Sequence, residues 1–456
     1  MESPRTRNRS GLVSRARQLP ETSLRTAFDA LSPPRIVWGP PEGALVVAGG
    51  AAATIEAREG NRFREVASAT EALFDSGDVH AGTEAARPRV FGGFSFNNGD
   101  GKYRESDGGS PWDGYPDARF LLPRVQVTIT DRGAWLTVTD AGENARVEDV
   151  ERRLDAEFDR LTGATSTGTR SSPPGIAERR RTTTREEWSS SIRSALDRIE
   201  RNELTKVVFA QALEIDLEGQ LDPASTLDRL GEAYPDCYRF CFETPDGEAA
   251  FFGATPERLV SLRGRTVETG ALAGTIGRGE TPAEDEWLAE QLRTDPKNAH
   301  EHELVVEAIR EQLSPFSASV ATGDRRIKRL ATVQHLWTPI TAELTDDRGV
   351  LELVEALHPT PAVGGVPPER ALETIGETEP FDRGWYAAPV GWVDAAGNGE
   401  FAVALRSALS TGSRATLFAG VGVVGDSDPD EEWDEAQLKF QPVLNVLDDG
   451  DEREET

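Results

Sequence analysis

Near the C-terminal end, Glu432, Glu435 and Lys439 fall at i, i+3 and i+7 of a stretch that reads as helical after Pro429, so their side chains share one face. Two carboxylates with an ammonium above them make either a hard-cation site beside an anion or a solvated acidic face, and partners elsewhere must decide. Lys206 lies in the β-branched run TKVVFAQ. Burial there favours the neutral amine, which abstracts protons; the alternative is a lysine snorkelling from a strand start. Glu257 follows the small-residue turn of FFGATPERL, as a fixed carboxyl or as an ordinary glutamate beside Arg258. Glu301, in AHEHELV, flanks the apolar stripe Leu304, Val305, Ala308 and Ile309, as a surface residue or a magnesium carboxylate. Arg406, within the apolar strand FAVALRSAL, needs an anionic partner if it points inward.

Two familiar motifs fail on context. Gly420, Gly422 and Gly425 spell GxGxxG after a short strand, Thr416 to Phe418, but the chain ends too soon for a βαβ unit with a ribose-binding acid about 20 residues on. What survives is a glycine turn whose small residues let backbone N–H groups approach an anion. His300 and His302 resemble a zinc helix, yet Leu304 stands where HExxH needs its second histidine.

The elements that must position these residues can be read in outline. Residues 1–163 mix strands (IVWGP, ALVVAGG, VFGGFSF) with a hairpin, VQVTIT and AWLTV joined by Asp131 to Gly133, and contain no catalytic constellation. The polar stretch over residues 97–117 reads as a surface excursion, and residues 164–183 as a linker. Residues 184–448 form the functional region, and 449–456 an acidic tail. Thr184 with Glu187 offers a capping box for a helix through Trp188, Ile192 and Ile199, which delivers the strand TKVVFAQALEID. Strands follow at YRFCFET, AAFFGAT, ERLVSLRG, LATVQHLWTPITAEL, APVGWVD and GEFAVALRSALS. Helices are expected over Pro282 to Leu292, Asn298 to Leu313, Val350 to Leu357 and Pro368 to Ile375. Runs of strands with helices between them imply an α+β fold with large, mainly antiparallel sheets.

At 37% hydrophobic, the 456 residues can bury a sizeable core, while a formal net charge of −29 excludes nucleic acid and anionic membranes as partners. Such repulsion calls for screening, and at about 1 M salt the Debye length is only about 3 Å, so a halophile's cytoplasm would suit the chain. The cationic residues are almost all arginine. Lys102, Lys206, Lys297, Lys328 and Lys439 are the lysines kept, and lysine, unlike arginine, yields its proton when buried. Cys237 and Cys241 lack further ligands at metal spacing and read as reduced core residues. No apolar run approaches the roughly 20 residues of a membrane span, and the Arg-dotted N-terminus lacks a signal peptide's apolar segment, so a cytoplasmic location is expected.

Taken in order, TKVVFAQ, FFGATPERL, TGALAGT, DPKNAHEHELV, VQHLWT, LHPTPAVGG, RGWYAAPVGW, EFAVALRSA and AGVGVVGDSDPDEEWDEAQLK resemble the chorismate-utilising enzymes, and within them the isochorismate synthases. The resemblance is close from about Arg185 to Leu447 and loose before it. It implies two similar α/β halves with stacked sheets, outer helices and a cleft between. It further implies Lys206 as the base activating water for attack on C2 of chorismate, and Glu257 as the acid protonating the departing C4 hydroxyl. Glu301, Glu435 and, less directly, Glu432 would hold Mg²⁺ on the ring carboxylate. Arg406, Lys439, Gly420 and Gly422 would hold the enolpyruvyl carboxylate and its surroundings, with Gly274, Thr275, His335, Ala362 and Tyr386 as further substrate contacts from their motifs.

Related anthranilate synthases typically carry Gln where Lys206 stands, and aminodeoxychorismate synthases a nucleophilic lysine where Ala273 stands. Water is therefore the expected nucleophile, no glutamine amidotransferase subunit is expected, and salicylate synthase is the alternative. Gln211, Gly270, Ala388 and Val421 depart from the common pattern, and none of them matches a catalytic position.

Overall fold

Neighbouring residues of single strands bury on opposite sides, and this period of two sets the layers. Ile36 and Trp38 belong to one apolar cluster and Val37 to the other; Phe240 and Phe242 are split from Cys241, and Phe251 from Phe252, in the same way. The second cluster also takes the apolar stripes of helices Leu24–Ala30, Val147–Gly163, Pro223–Ala233 and Pro429–Leu447, so those helices cover the outer sheet face. The first collects aromatic side chains from both ends of the chain, among them Phe91, Phe120, Phe251, Trp385 and Phe401.

This computed structural model describes residues 11–58, 60–75, 77–97, 110–163 and 170–448. Among the described residues, 21 strands are hydrogen-bonded into one network, antiparallel except where Leu12–Leu19 meets Gly77–His80. Strand Arg35–Gly39 pairs with Tyr238–Glu243, and Val90–Phe94 with Pro389–Val393, so backbone ladders join the first 163 residues to the rest. No described helix is long and apolar enough to cross a membrane.

Several expectations need correction. Ile176–Arg181, inside the segment read as a linker, is a strand paired with Lys206–Leu217; its mostly exposed, arginine-rich pattern carries no core signal. Residues 164–169 and the acidic tail lie outside the described residues, as do residues 98–109 of the polar excursion. The end of that excursion is not at the surface: Trp112 and Tyr115 are buried, and Trp112 stacks on Phe418 with ring centroids 5.5 Å apart. Helices Arg62–Phe74 and Val147–Gly163 interrupt a region read as strands and loops. Gly420 and Gly422 form no turn, for they continue the strand Arg414–Val423, opposite Ala210 and Val208. By contrast, the Thr184 and Glu187 capping box is present as read, and both cysteines are buried and reduced.

Candidate active site

Strand Lys206–Leu217 points Lys206, Val208 and Ala210 to one side, and the glycine strand beside it contributes Gly420 and Gly422. Helix Pro296–Leu313, capped by the Asp295 side chain on Asn298 N–H, brings Glu301 above them. Helix Pro429–Leu447, capped by Asp428, brings Glu435 and Lys439. Together they enclose a cleft of about 740 Å³. Lys206, Glu257, Gly274, Thr275, Glu301, His335, Ala362, Tyr386, Arg406, Gly420, Gly422, Glu435 and Lys439 all line it. Glu432 does not, for it is turned into a buried pocket beside Lys297, 3.0 Å from its Nζ.

Three ammonium–carboxylate pairs organise the charge. Lys206 Nζ sits 2.8 Å from Glu301 Oε1, Lys297 holds Glu432, and Lys439 Nζ lies 2.7 Å from Glu435 Oε1. Burial alone would raise the Glu301 carboxyl; the adjacent Lys206, with Lys439 and Lys297, outweighs it and holds Glu301 below its usual range. Glu432 is pushed up to about 7 by burial and by Glu435, against the pull of Lys297. Among the described residues no three acidic, histidine or cysteine side chains converge on one point. Each carboxylate of the expected ligand set is instead held by a lysine, while Glu301 and Glu435 line the same cleft. Their oxygens nonetheless suit a hard divalent cation, and the ammonium on each marks where positive charge is accepted.

Gly422 is required by this packing, because a Cβ there would overlap Glu301 Oε1 and stand 2.9 Å from Lys206 Cε. Gly422→Ala is expected to lower kcat by roughly 100-fold through displacement of that pair, with the fold retained. Steady-state kinetics beside a thermal melt checks this, and wild-type kcat in the variant would refute it.

Opposite the glycines, Ala210 donates its amide to Glu379 Oε1 (2.8 Å) and Val208 donates to Gly364 O (2.9 Å), both away from the glycine strand. Facing residues that point their amides apart form a non-hydrogen-bonded pair. Gly420 and Gly422 thus direct their amides to the open side, where Gly420 O accepts from Lys439 Nζ at 2.8 Å.

On the far wall, burial pushes the Glu257 carboxyl up to about 7, although Lys206, Lys439, Lys328 and Arg406 pull it down. That value leaves a neutral, proton-donating acid available near neutral pH. Arg406, at φ 49°, holds a backbone conformation uncommon for a residue with a side chain. Its Nη2 donates to His335 Nε2 at 2.8 Å, so His335 carries its proton on Nδ1, beside Thr275 Oγ1 at 3.1 Å. Burial and the Arg406 charge hold His335 well below its usual range and hence neutral. Arg406 Nη1 is buried without a hydrogen-bond partner, a donor left open for an anionic ligand. Gly274, at φ +77°, makes the bulge that turns Thr275 N–H onto Asn298 Oδ1 at 3.1 Å.

Sequence reasoning missed Arg383, which lines the cleft while fully buried. It pairs with Glu379 and donates to Val208 O (2.7 Å) and Val363 O (2.9 Å), tying the Lys206 strand to the loop that carries Ala362. RGWYAAPVGW contains it, but no local pattern marks which arginine of 45 is internal. His302, in the metal-like run, is instead a core residue between Ala273 O (3.2 Å) and Thr338 Oγ1 (2.8 Å), lowered to about 4 by burial.

A stacked-sheet α+β fold with this cleft defines a class, and comparison with known proteins agrees with it. The family model described as "Chorismate binding enzyme" matches residues 1–448, and the chain belongs to that family. It is 34% identical over 458 residues to the isochorismate synthase MenF of Bacillus subtilis, covering 96% of this chain and 94% of that protein. To the salicylate biosynthesis isochorismate synthase of Pseudomonas aeruginosa it is 38% identical over 432 residues, covering 92% and 86%. The solved structure of MenF, the menaquinone-specific isochorismate synthase of Escherichia coli, is similar at a TM-score of 0.80 and 26% identity, covering 96% and 95%.

Proposed function

We propose that this protein is an isochorismate synthase, an isomerase that converts chorismate to isochorismate. The observation that carries the reading is one cleft with Lys206 on one wall and a Glu257 raised to about 7 on the other. Hydroxyl is a poor leaving group, so the reaction needs an acid at C4 while a base prepares water at C2. Lys206, which must first release its ion-pair proton to act as the neutral amine, takes a proton from that water as its oxygen bonds to C2. The ring double bonds shift and the C4–O bond breaks, with the Glu257 proton going to the departing oxygen. Water is taken up and water is released, so the atoms balance.

Chorismate is a dianion, and an acidic protein must neutralise it locally. Arg406, with its unpartnered Nη1, and the outward amides of Gly420 and Gly422 receive the enolpyruvyl carboxylate, beside Lys439 and Tyr386. Glu301 and Glu435 would hold Mg²⁺, with Glu432 reached only if it leaves Lys297; the ion supplies positive charge for the ring carboxylate. The enzyme acts without an amidotransferase subunit, in the cytoplasm, and its isochorismate feeds menaquinone or siderophore synthesis. Its acidic surface suits a salt-rich interior.

Chorismate incubated with the protein and Mg²⁺ in high salt is expected to give isochorismate, and EDTA to abolish the conversion. Chromatography separates the products. Salicylate with pyruvate would replace this reading by salicylate synthase, and no consumption of chorismate would refute it.

A further inference from the structure

Lysine is rare in this chain, and the four described lysines all lie at the cleft or against it. Lys206, Lys297 and Lys439 pair with glutamates. Lys328 pairs with none, and it lies outside the cleft. It borders a second, solvent-open pocket behind the acid, and Pro256, Glu257 and Leu272 line both spaces. From that side Lys328 Nζ donates to Pro256 O at 2.8 Å, one residue before the acid. Lys328 is also the cross-strand partner of His335, so both side chains leave the same face of one hairpin. His335 fixes Arg406 Nη2, and Arg406 O in turn accepts from Ala254 N–H at 3.2 Å, at the other end of the acid's turn.

We propose that Lys328 is a positioning residue for the reaction: its hold on Pro256 locks the turn bearing Glu257 to the hairpin whose His335 orients Arg406. The acid and the carboxylate clamp are then set in one register by one hairpin. An ammonium fits this task because it reaches a single carbonyl from a half-buried position, whereas a guanidinium is broader and needs several acceptors. The proposal rests on the isochorismate reading above. The charged groups that act on Glu257 are Lys206, Lys439, Lys328 and Arg406, and the titratable and charged groups around Lys328 are the Cys237 thiol, Arg258, Asp236 and Arg406. Lys328 is one of the cations that lower Glu257, so its removal moves the limb on which Glu257 loses its proton to higher pH.

The test compares full-length wild type, Lys328→Met and Lys328→Arg, with saturating Mg²⁺, in kcat, KM for chorismate, pH profile and thermal melt. Lys328→Met is expected to lower kcat roughly 10- to 100-fold and to raise KM by a smaller factor, because the acid is displaced more than the clamp that His335 still holds. Its alkaline limb shifts upward, and Lys328→Arg returns the limb and part of kcat. Wild-type kcat in Lys328→Met would overturn the proposal. So would a loss of kcat with an unmoved limb and no recovery in Lys328→Arg, which marks general damage. A wild-type protein that forms no isochorismate refutes the parent reading instead.

Discussion

Glu257→Gln is expected to lower kcat for isochorismate formation by roughly 10²- to 10⁴-fold, the range supplied by a positioned general acid. That corresponds to about 3–5 kcal/mol of transition-state stabilisation. The amide keeps the shape and removes the proton, so chorismate binding persists and KM changes little. Glu257 is almost fully buried, with its carboxyl raised to about 7 by burial. The sign follows: the acid is competent while protonated, so kcat/KM falls as pH rises through about 7. Glu257→Gln eliminates that limb together with the rate. A pH profile of both proteins checks it, and an unchanged limb in the variant would assign the acid elsewhere.

Lys206→Ala is expected to cost a comparable factor, roughly 10²- to 10⁴-fold in kcat, because water at C2 loses its base. A second effect accompanies it, since Lys206 is the ion-pair partner of Glu301 at 2.8 Å and is itself 1% exposed. Breaking a buried pair by removing one member costs on the order of 3–5 kcal/mol of stability where no other cation takes its place. The melting temperature should therefore fall in the apo protein and recover in part when Mg²⁺ is added. Kinetics and melts with and without Mg²⁺ separate the two effects. Full activity in Lys206→Ala would remove the base from the mechanism.

Much of the site was legible because its residues sit in local strings with marked composition. A lysine in a β-branched strand, a glutamate after a small-residue turn and an arginine inside an apolar strand are each improbable by burial cost alone. What misled was local reading of shared geometry. Gly420 and Gly422 look like a turn, yet their spacing of two is the strand period; Glu301 and the Lys206 stem cross over Gly422, and the Tyr386 hydroxyl lies close over Gly420. Glu432 and Glu435 share a helical face, yet only Glu435 borders the cleft, since Lys297 draws Glu432 aside. Trp112 and Tyr115 sit in a polar stretch, and their burial against Phe418 and Trp385 is settled by strands far along the chain.

The sequence by itself determined most elements of residues 184–448, the antiparallel α+β class and the residue kinds that chemistry on a dianion demands, because periodicity and burial cost act over a few neighbouring residues. Tertiary structure alone decided which lysine faces which glutamate, that Arg383 braces the Lys206 strand, and that Lys328 backs the acid. Apart from Lys439 and Glu435, neighbours at i and i+4 of one helix, the contacts of Lys206 with Glu301, Lys297 with Glu432, Lys328 with Pro256 and Arg383 with Val208 join residues 72 to 175 positions apart, and no local physical rule spans such separations.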